Sequence, residues 1–161
     1  MKKEAISFGY EVYESSSELN ADDEILVNAA REVTKKAYAP YSNFLVGAVA
    51  SLINGEKVSG TNQENASYPV GICAERVLLS AASVMHTNVP IDTIAISYHN
   101  LHGESSNPVS PCGMCRQALK EYEDRTNKTI RLLLSGMTGK VFVIEKASHL
   151  LPFSFGGEDL K

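Results

Sequence analysis

Apolar residues recur at helical spacing in three stretches of the chain and alternate or cluster in short runs between them. The first stretch covers residues 21 to about 37, with Ile25, Ala29, Val33 and Ala37 as its expected inward face. Asn20 stands before it as a cap, and Asp22, Asp23 and Glu24 fall in its first turn, where carboxylates meet the positive end of the helix dipole. The second covers residues 74–86, with apolar Val77, Leu78, Ala81, Ala82 and Met85. The third opens after Pro111, with Met114, Ala118, Leu119 and Tyr122 on an apolar face and Arg116, Lys120 and Glu121 on a polar one.

Residues 45–53 and 57–60 read as strands on either side of Asn54-Gly55, a hairpin signal because both residues tolerate positive φ. Residues 91–97, 130–134 and 141–144 predict three more strands. Only residues 135–140 separate the last two, whereas a parallel crossover needs about a dozen residues, so as neighbours they must be antiparallel. The expected fold is α/β: three layers, α/β/α, around a five-stranded mixed sheet. Residues 20–161 suit a single domain. Residues 1–19 alternate loosely at 7–13 and carry Ser15-Ser16-Ser17, leaving an added strand and a flexible arm both open.

Composition narrows the function. At 161 residues and 43% hydrophobic, the chain is long enough to bury its own core. A formal charge of -4 argues against the basic face that nucleic-acid binding requires, so a small molecule is the expected partner. No apolar run approaches the roughly 20 residues of a membrane span, and no apolar signal segment opens the sequence. With its cysteines unpaired, a cytoplasmic location is the expectation.

Those cysteines carry the chemistry. Cys73-Ala74-Glu75 and Pro111-Cys112-Gly113-Met114-Cys115 hold all three, an odd number that cannot pair fully within one chain. Each group falls at the start of a predicted helix, where the dipole and free N–H groups favour thiolates. A catalytic zinc takes three protein ligands and leaves its fourth position to water, whereas a structural zinc fills all four. Three cysteines match the open case. A closed site completed by His99 or His102, and simple apolar packing, are the bland alternatives; a redox C-x-x-C lacks its thioredoxin-like unit. Glu75 lies two residues past a ligand, placed to reach a metal-activated water and move its proton. Arg76 follows; a guanidinium donating to a ligand sulfur would offset the negative charge of three thiolates.

Three cysteines, a non-ligand glutamate and P-C-x-x-C resemble the zinc deaminases of nucleobases. Further segments are Tyr38-Ala39-Pro40-Tyr41-Ser42-Asn43-Phe44, Val46-Gly47-Ala48 and Asn62-Gln63-Glu64-Asn65-Ala66-Ser67-Tyr68. With them the chain resembles the small homotetrameric cytidine deaminases from about Asn20 to Leu160. The antiparallel ending agrees, since tRNA and nucleotide deaminases tend to keep those strands parallel.

The resemblance implies one zinc per chain on Cys73, Cys112 and Cys115, with Glu75 as proton shuttle. It implies Phe44 packing on the pyrimidine and Asn62 and Glu64 holding the sugar 3′-hydroxyl, with Ala66 in the same motif. An amide and a carboxylate two apart on an extended segment do point the same way. Tyr68 and Phe155 resemble residues lent to a neighbouring subunit's pocket, giving a homotetramer with shared sites. The implied reaction is hydrolytic deamination of cytidine and deoxycytidine in pyrimidine salvage. The alternatives are deamination of a modified cytosine nucleoside, such as a blasticidin-type antibiotic, and a silent zinc scaffold. The chain departs from the family at Leu45, where proline is usual, in the long loop 101–110, and in residues 1–19.

Overall fold

The computed structural model describes all of Met1–Lys161. Six strands form one mixed sheet in the order β1-β6-β5-β4-β2-β3. They are β1 (Glu11–Tyr13), β2 (Phe44–Leu52), β3 (Lys57–Thr61), β4 (Ile91–Asn100), β5 (Arg131–Ser135) and β6 (Val141–Ile144). The helices are α1 (Ala21–Val33), α2 (Ala74–Met85) and α3 (Gly113–Thr126). No helix is long and apolar enough to cross a membrane.

The expectation of five strands is corrected to six. Glu11, Val12 and Tyr13 pair antiparallel with Val143, Phe142 and Val141 on the free edge of β6. Three residues of loose alternation carry little periodic signal; the open ladder of β6 supplies what the sequence does not show. Tyr10 adds an edge contact to Phe142, with ring centroids 5.2 Å apart. β5 and β6 are antiparallel as expected, while β4 and β5, joined through α3, are parallel.

The layers divide into two cores. α1 buries Leu26, Val27, Ala30 and Val33 against Val49, Ala95 and Leu133. The stripe expected on α1 is therefore rotated: Val33 is buried, but Ile25 stands 54% exposed, because Leu26 and Ala30 meet the sheet in its place. The helix also ends sooner than its pattern, passing at Thr34–Lys36 into a 3₁₀ turn. α2 and α3 cover the other face through Leu78, Ala82, Leu119 and Tyr122 over Ile94, Ile96 and Leu132. Met85 and Met114, expected inward, are 68% and 62% exposed, one at the last turn of α2 and the other in the first turn of α3. At the β2–β3 turn only Gly55 has positive φ, at 86°, while Asn54 instead accepts the Glu56 N–H at 3.1 Å.

Two glycines set how closely the helices approach. A Cβ on Gly47 would lie 2.4 Å from the Ala30 carbonyl oxygen of α1. One on Gly60 would lie 2.4 Å from the Ala74 oxygen and 2.5 Å from the Leu78 nitrogen of α2. The first turn of α2 thus rests directly on the β3 backbone. Gly60→Ala is expected to lose about 1–3 kcal/mol in urea unfolding, because the atoms it meets are backbone and cannot swing aside. Unchanged stability would show that α2 does not approach so closely.

Candidate metal centre

The site grows from two helix starts. Cys73 is the N-cap of α2 and Cys112 the N-cap of α3, and neither helix has a side-chain cap. Serine or aspartate at these positions would occupy the first-turn N–H groups; cysteine leaves them for thiolates and for an anionic ligand. Cys115 sits in the first turn of α3, fully buried, while Cys73 is half-buried and Cys112 exposed. The Sγ atoms of Cys73 and Cys112 are 3.7 Å apart and those of Cys112 and Cys115 3.5 Å. All three lie within 4.8 Å of one another. A tetrahedral zinc with Zn–S near 2.3 Å requires edges of about 3.8 Å, so the donors fit one ion. No histidine joins the cluster, and the closed alternative with His99 or His102 has no fourth ligand here.

Electrostatics explain why this cluster wants a dication. Hydrogen bonding from Cys115, helped by Cys112, pulls the Cys73 thiol down to about 6 against the opposing effect of burial. Cys115 is pushed up in turn, first by its hydrogen bond to Cys73 and then by burial. Side by side, the sulfurs share protons; only a cation among them lets all three ionise. Arg76 makes no hydrogen bond to a sulfur, and its charge lowers Cys73 through space only. Glu75, 5% exposed, is held above the usual carboxylate range chiefly by burial.

Of the remaining predicted residues, Phe44 lies at the start of β2, Asn62 and Glu64 just past β3, and Phe155 apart from them on the C-terminal segment against α3. Phe44 opens β2, is half-buried, and stacks on Tyr98 of β4 at 4.7 Å between centroids. Asn62, just past β3, spends its amide on β2: Oδ1 accepts the Val46 N–H at 2.7 Å and Nδ2 donates to the Phe44 oxygen at 2.9 Å. Glu64 accepts the N–H groups of Tyr41 at 2.9 Å and Ser42 at 3.3 Å, and hydrogen bonding from Ser42 keeps its pKa low. Tyr41, Ser42, Glu64, Asn65, Tyr68 and Gly71 line a cavity of about 330 Å³, two residues before Cys73. Ala66 is exposed, Tyr68 is 75% exposed beside Tyr41, and Phe155 is 59% exposed on the C-terminal segment.

Arg116, which the sequence shows only as part of a polar face, and Gln117 and Glu123 fasten α3 to the segments around it. Arg116 donates from Nε to the Pro111 oxygen at 2.8 Å and from Nη1 to the Leu150 oxygen at 3.0 Å, clasping the metal turn to the C-terminal segment. Gln117 Nε2 donates to the Phe155 oxygen at 2.9 Å. Glu123, 5% exposed, accepts the N–H groups of Ile130, Ala147 and Ser148 at 2.8, 3.1 and 3.3 Å. Glu123 was visible in principle as a carboxylate four residues after Leu119 on the apolar stripe. Arg116 and Gln117 had no such signal, since their partners are backbone oxygens distant in sequence.

Three thiols on converging helix starts, a buried carboxylate beside them and a mixed sheet beneath define a zinc hydrolase of the nucleobase-deaminase class. Residues 20–130 match the family described as cytidine and deoxycytidylate deaminase zinc-binding region, and the chain belongs to that family. A cytidine deaminase of Halalkalibacterium halodurans is 35% identical over 139 residues, which is 86% of this chain and 98% of that protein. The crystal structure of cytidine deaminase from Burkholderia pseudomallei superposes with a TM-score of 0.71 at 39% identity, covering 81% of this chain and 97% of that one. That of Mycobacterium leprae gives 0.62 at 30% identity, covering 83% and 98%.

Proposed function

We propose that this enzyme converts cytidine and deoxycytidine with water to uridine and deoxyuridine plus ammonia, within residues 20–161 as one catalytic domain. The observation that carries the reading is the Cys73–Cys112–Cys115 cluster at zinc spacing with buried Glu75 beside it. Zinc held by the three sulfurs supplies Lewis acidity, which brings a water's pKa to roughly 7.

The chain's own groups do the rest. Glu75 accepts the proton that water loses, places it on N3 of the cytosine, then takes the remaining proton of the hydroxyl added at C4 and gives it to the 4-amino group, which leaves as ammonia while the C4=O bond forms. Burial supports this role, because raising the carboxyl pKa makes Glu75 a stronger acceptor for the proton that water loses. The uncapped N–H groups at the start of α3 stabilise charge developing on the oxygen at C4. Arg76 moderates the thiolate charge through space. Phe44 packs against the base. Asn62 and Glu64 hold the sugar hydroxyl, Asn62 with its remaining N–H and Glu64 with the oxygen that takes no backbone N–H. Ala66 lies in the same loop.

Tyr68 and Phe155 support a homotetramer with shared sites, since both stand exposed and available to a neighbouring subunit. Unpaired thiols support a cytoplasmic setting and the free nucleoside a role in pyrimidine salvage.

The test is loss of cytidine absorbance with ammonia release by zinc-loaded protein, with light scattering for the oligomer. Turnover supports the reading. Its absence with one zinc per chain rejects cytidine and directs the search to modified cytosine nucleosides.

A further inference from the structure

We infer that Tyr98 is a positioning residue for base recognition: it fixes the plane of the Phe44 ring, and with it the orientation of the cytosine. The inference rests on the reading of Phe44 as the surface that meets the base. Phe44 and Tyr98 lie nearly parallel, 11° between planes and 4.7 Å between centroids, so one face of Phe44 is occupied by Tyr98. The opposite face is the one left for a ligand. Stacking of this kind restrains a ring that would otherwise turn about χ2.

The two partners are unequal in freedom. Tyr98 is 5% exposed, in the middle of the sheet, and its backbone pairs with Val46 of β2. Phe44 is the first residue of β2 and half-buried, so its ring is the part free to move. Its backbone is already anchored, by the Asn62 amide on its oxygen and by its own N–H, which donates to Ser42 Oγ at 3.1 Å. Backbone anchoring sets where the ring starts, and Tyr98 sets which way it faces. The register places both side chains on the α2–α3 face of the sheet: Phe44, Val46 and Ala48 alternate along β2, and Tyr98, Ile96 and Ile94 along β4. That is the face on which Cys73, Glu75 and Cys112 sit. Tyr98 also precedes the long loop 101–110 that leads into Pro111.

Steady-state kinetics on cytidine separate this role from ordinary core packing. Tyr98→Leu, which fills space without a ring, is expected to raise KM about 2- to 10-fold, with kcat within about 3-fold and one zinc retained. Tyr98→Phe keeps the stack and is expected to keep KM within about 2-fold of the wild type. In a Phe44→Leu background the Tyr98→Leu change should add nothing further to KM, since its effect passes through that ring. A wild-type KM in Tyr98→Leu, an additive effect in the double variant, or equal impairment of Tyr98→Phe and Tyr98→Leu would each overturn the inference. Should Tyr98→Leu fail to fold, Tyr98→Phe against Tyr98→Met makes the same comparison. Wild-type protein without turnover overturns the reading of the site itself, whereas turnover with KM unmoved in the variants overturns only the role of Tyr98.

Discussion

Glu75→Gln is expected to lower kcat on cytidine by about 10²- to 10⁴-fold, the range that a positioned acid–base group contributes. The amide keeps the size of the carboxylate but cannot accept a proton from water or return one to the amine. Glu75 is also no part of the sulfur cluster, so one zinc per chain and the wild-type circular dichroism spectrum should persist. Removing a buried carboxyl that burial already disfavours as an anion costs the fold little, and the melting temperature should hold or rise. A variant with near-normal kcat would remove Glu75 from the mechanism, and one without zinc would make it a ligand.

Cys115→Ala should abolish turnover by a different route. Cys115 is the one buried sulfur, and the two remaining thiols offer the metal an incomplete set. Zinc content after gel filtration is expected to fall well below one per chain, and added zinc should not restore activity. The sheet should survive. Both apolar clusters are built from residues other than the cysteines, and Glu123 still holds the β5 start and residues 147–148 to α3. Retained zinc and activity in Cys115→Ala would mean that another donor, Glu75 first among them, takes the place of the sulfur.

Much of this site was readable from sequence because its chemistry is local. Cys73 with Glu75, and Cys112 with Cys115, are separated by one helical turn or less, and a helix start is itself a sequence signal. Bringing the two starts together requires the parallel β4–β5 pairing through α3, for which the intervening helix supplies a crossover of sufficient length. What could not be read depended on partners distant along the chain. β1 exists because β6 has a free edge, and nothing in Glu11–Tyr13 names Val141–Val143 as its complement. The inward face of α1 was placed one position out because Ile25 and Leu26 are equally apolar, and only the docking geometry chooses Leu26. Asn62 was legible as a polar residue on an extended segment. Its use in fastening Phe44 and Val46 was not, because those partners are backbone atoms on another strand.

Gly47 and Gly60 sit on neighbouring strands, and on each a helix rests directly on bare backbone: α1 on Gly47, α2 on Gly60. For laboratory evolution of altered base preference this is confining. Strand positions beneath the metal centre have no slack in either direction, and a diversified library there would mostly sample unfolded chains. Room to vary lies at the rim, in the 64–70 segment and the 101–110 loop, where new side chains can enter without moving a helix.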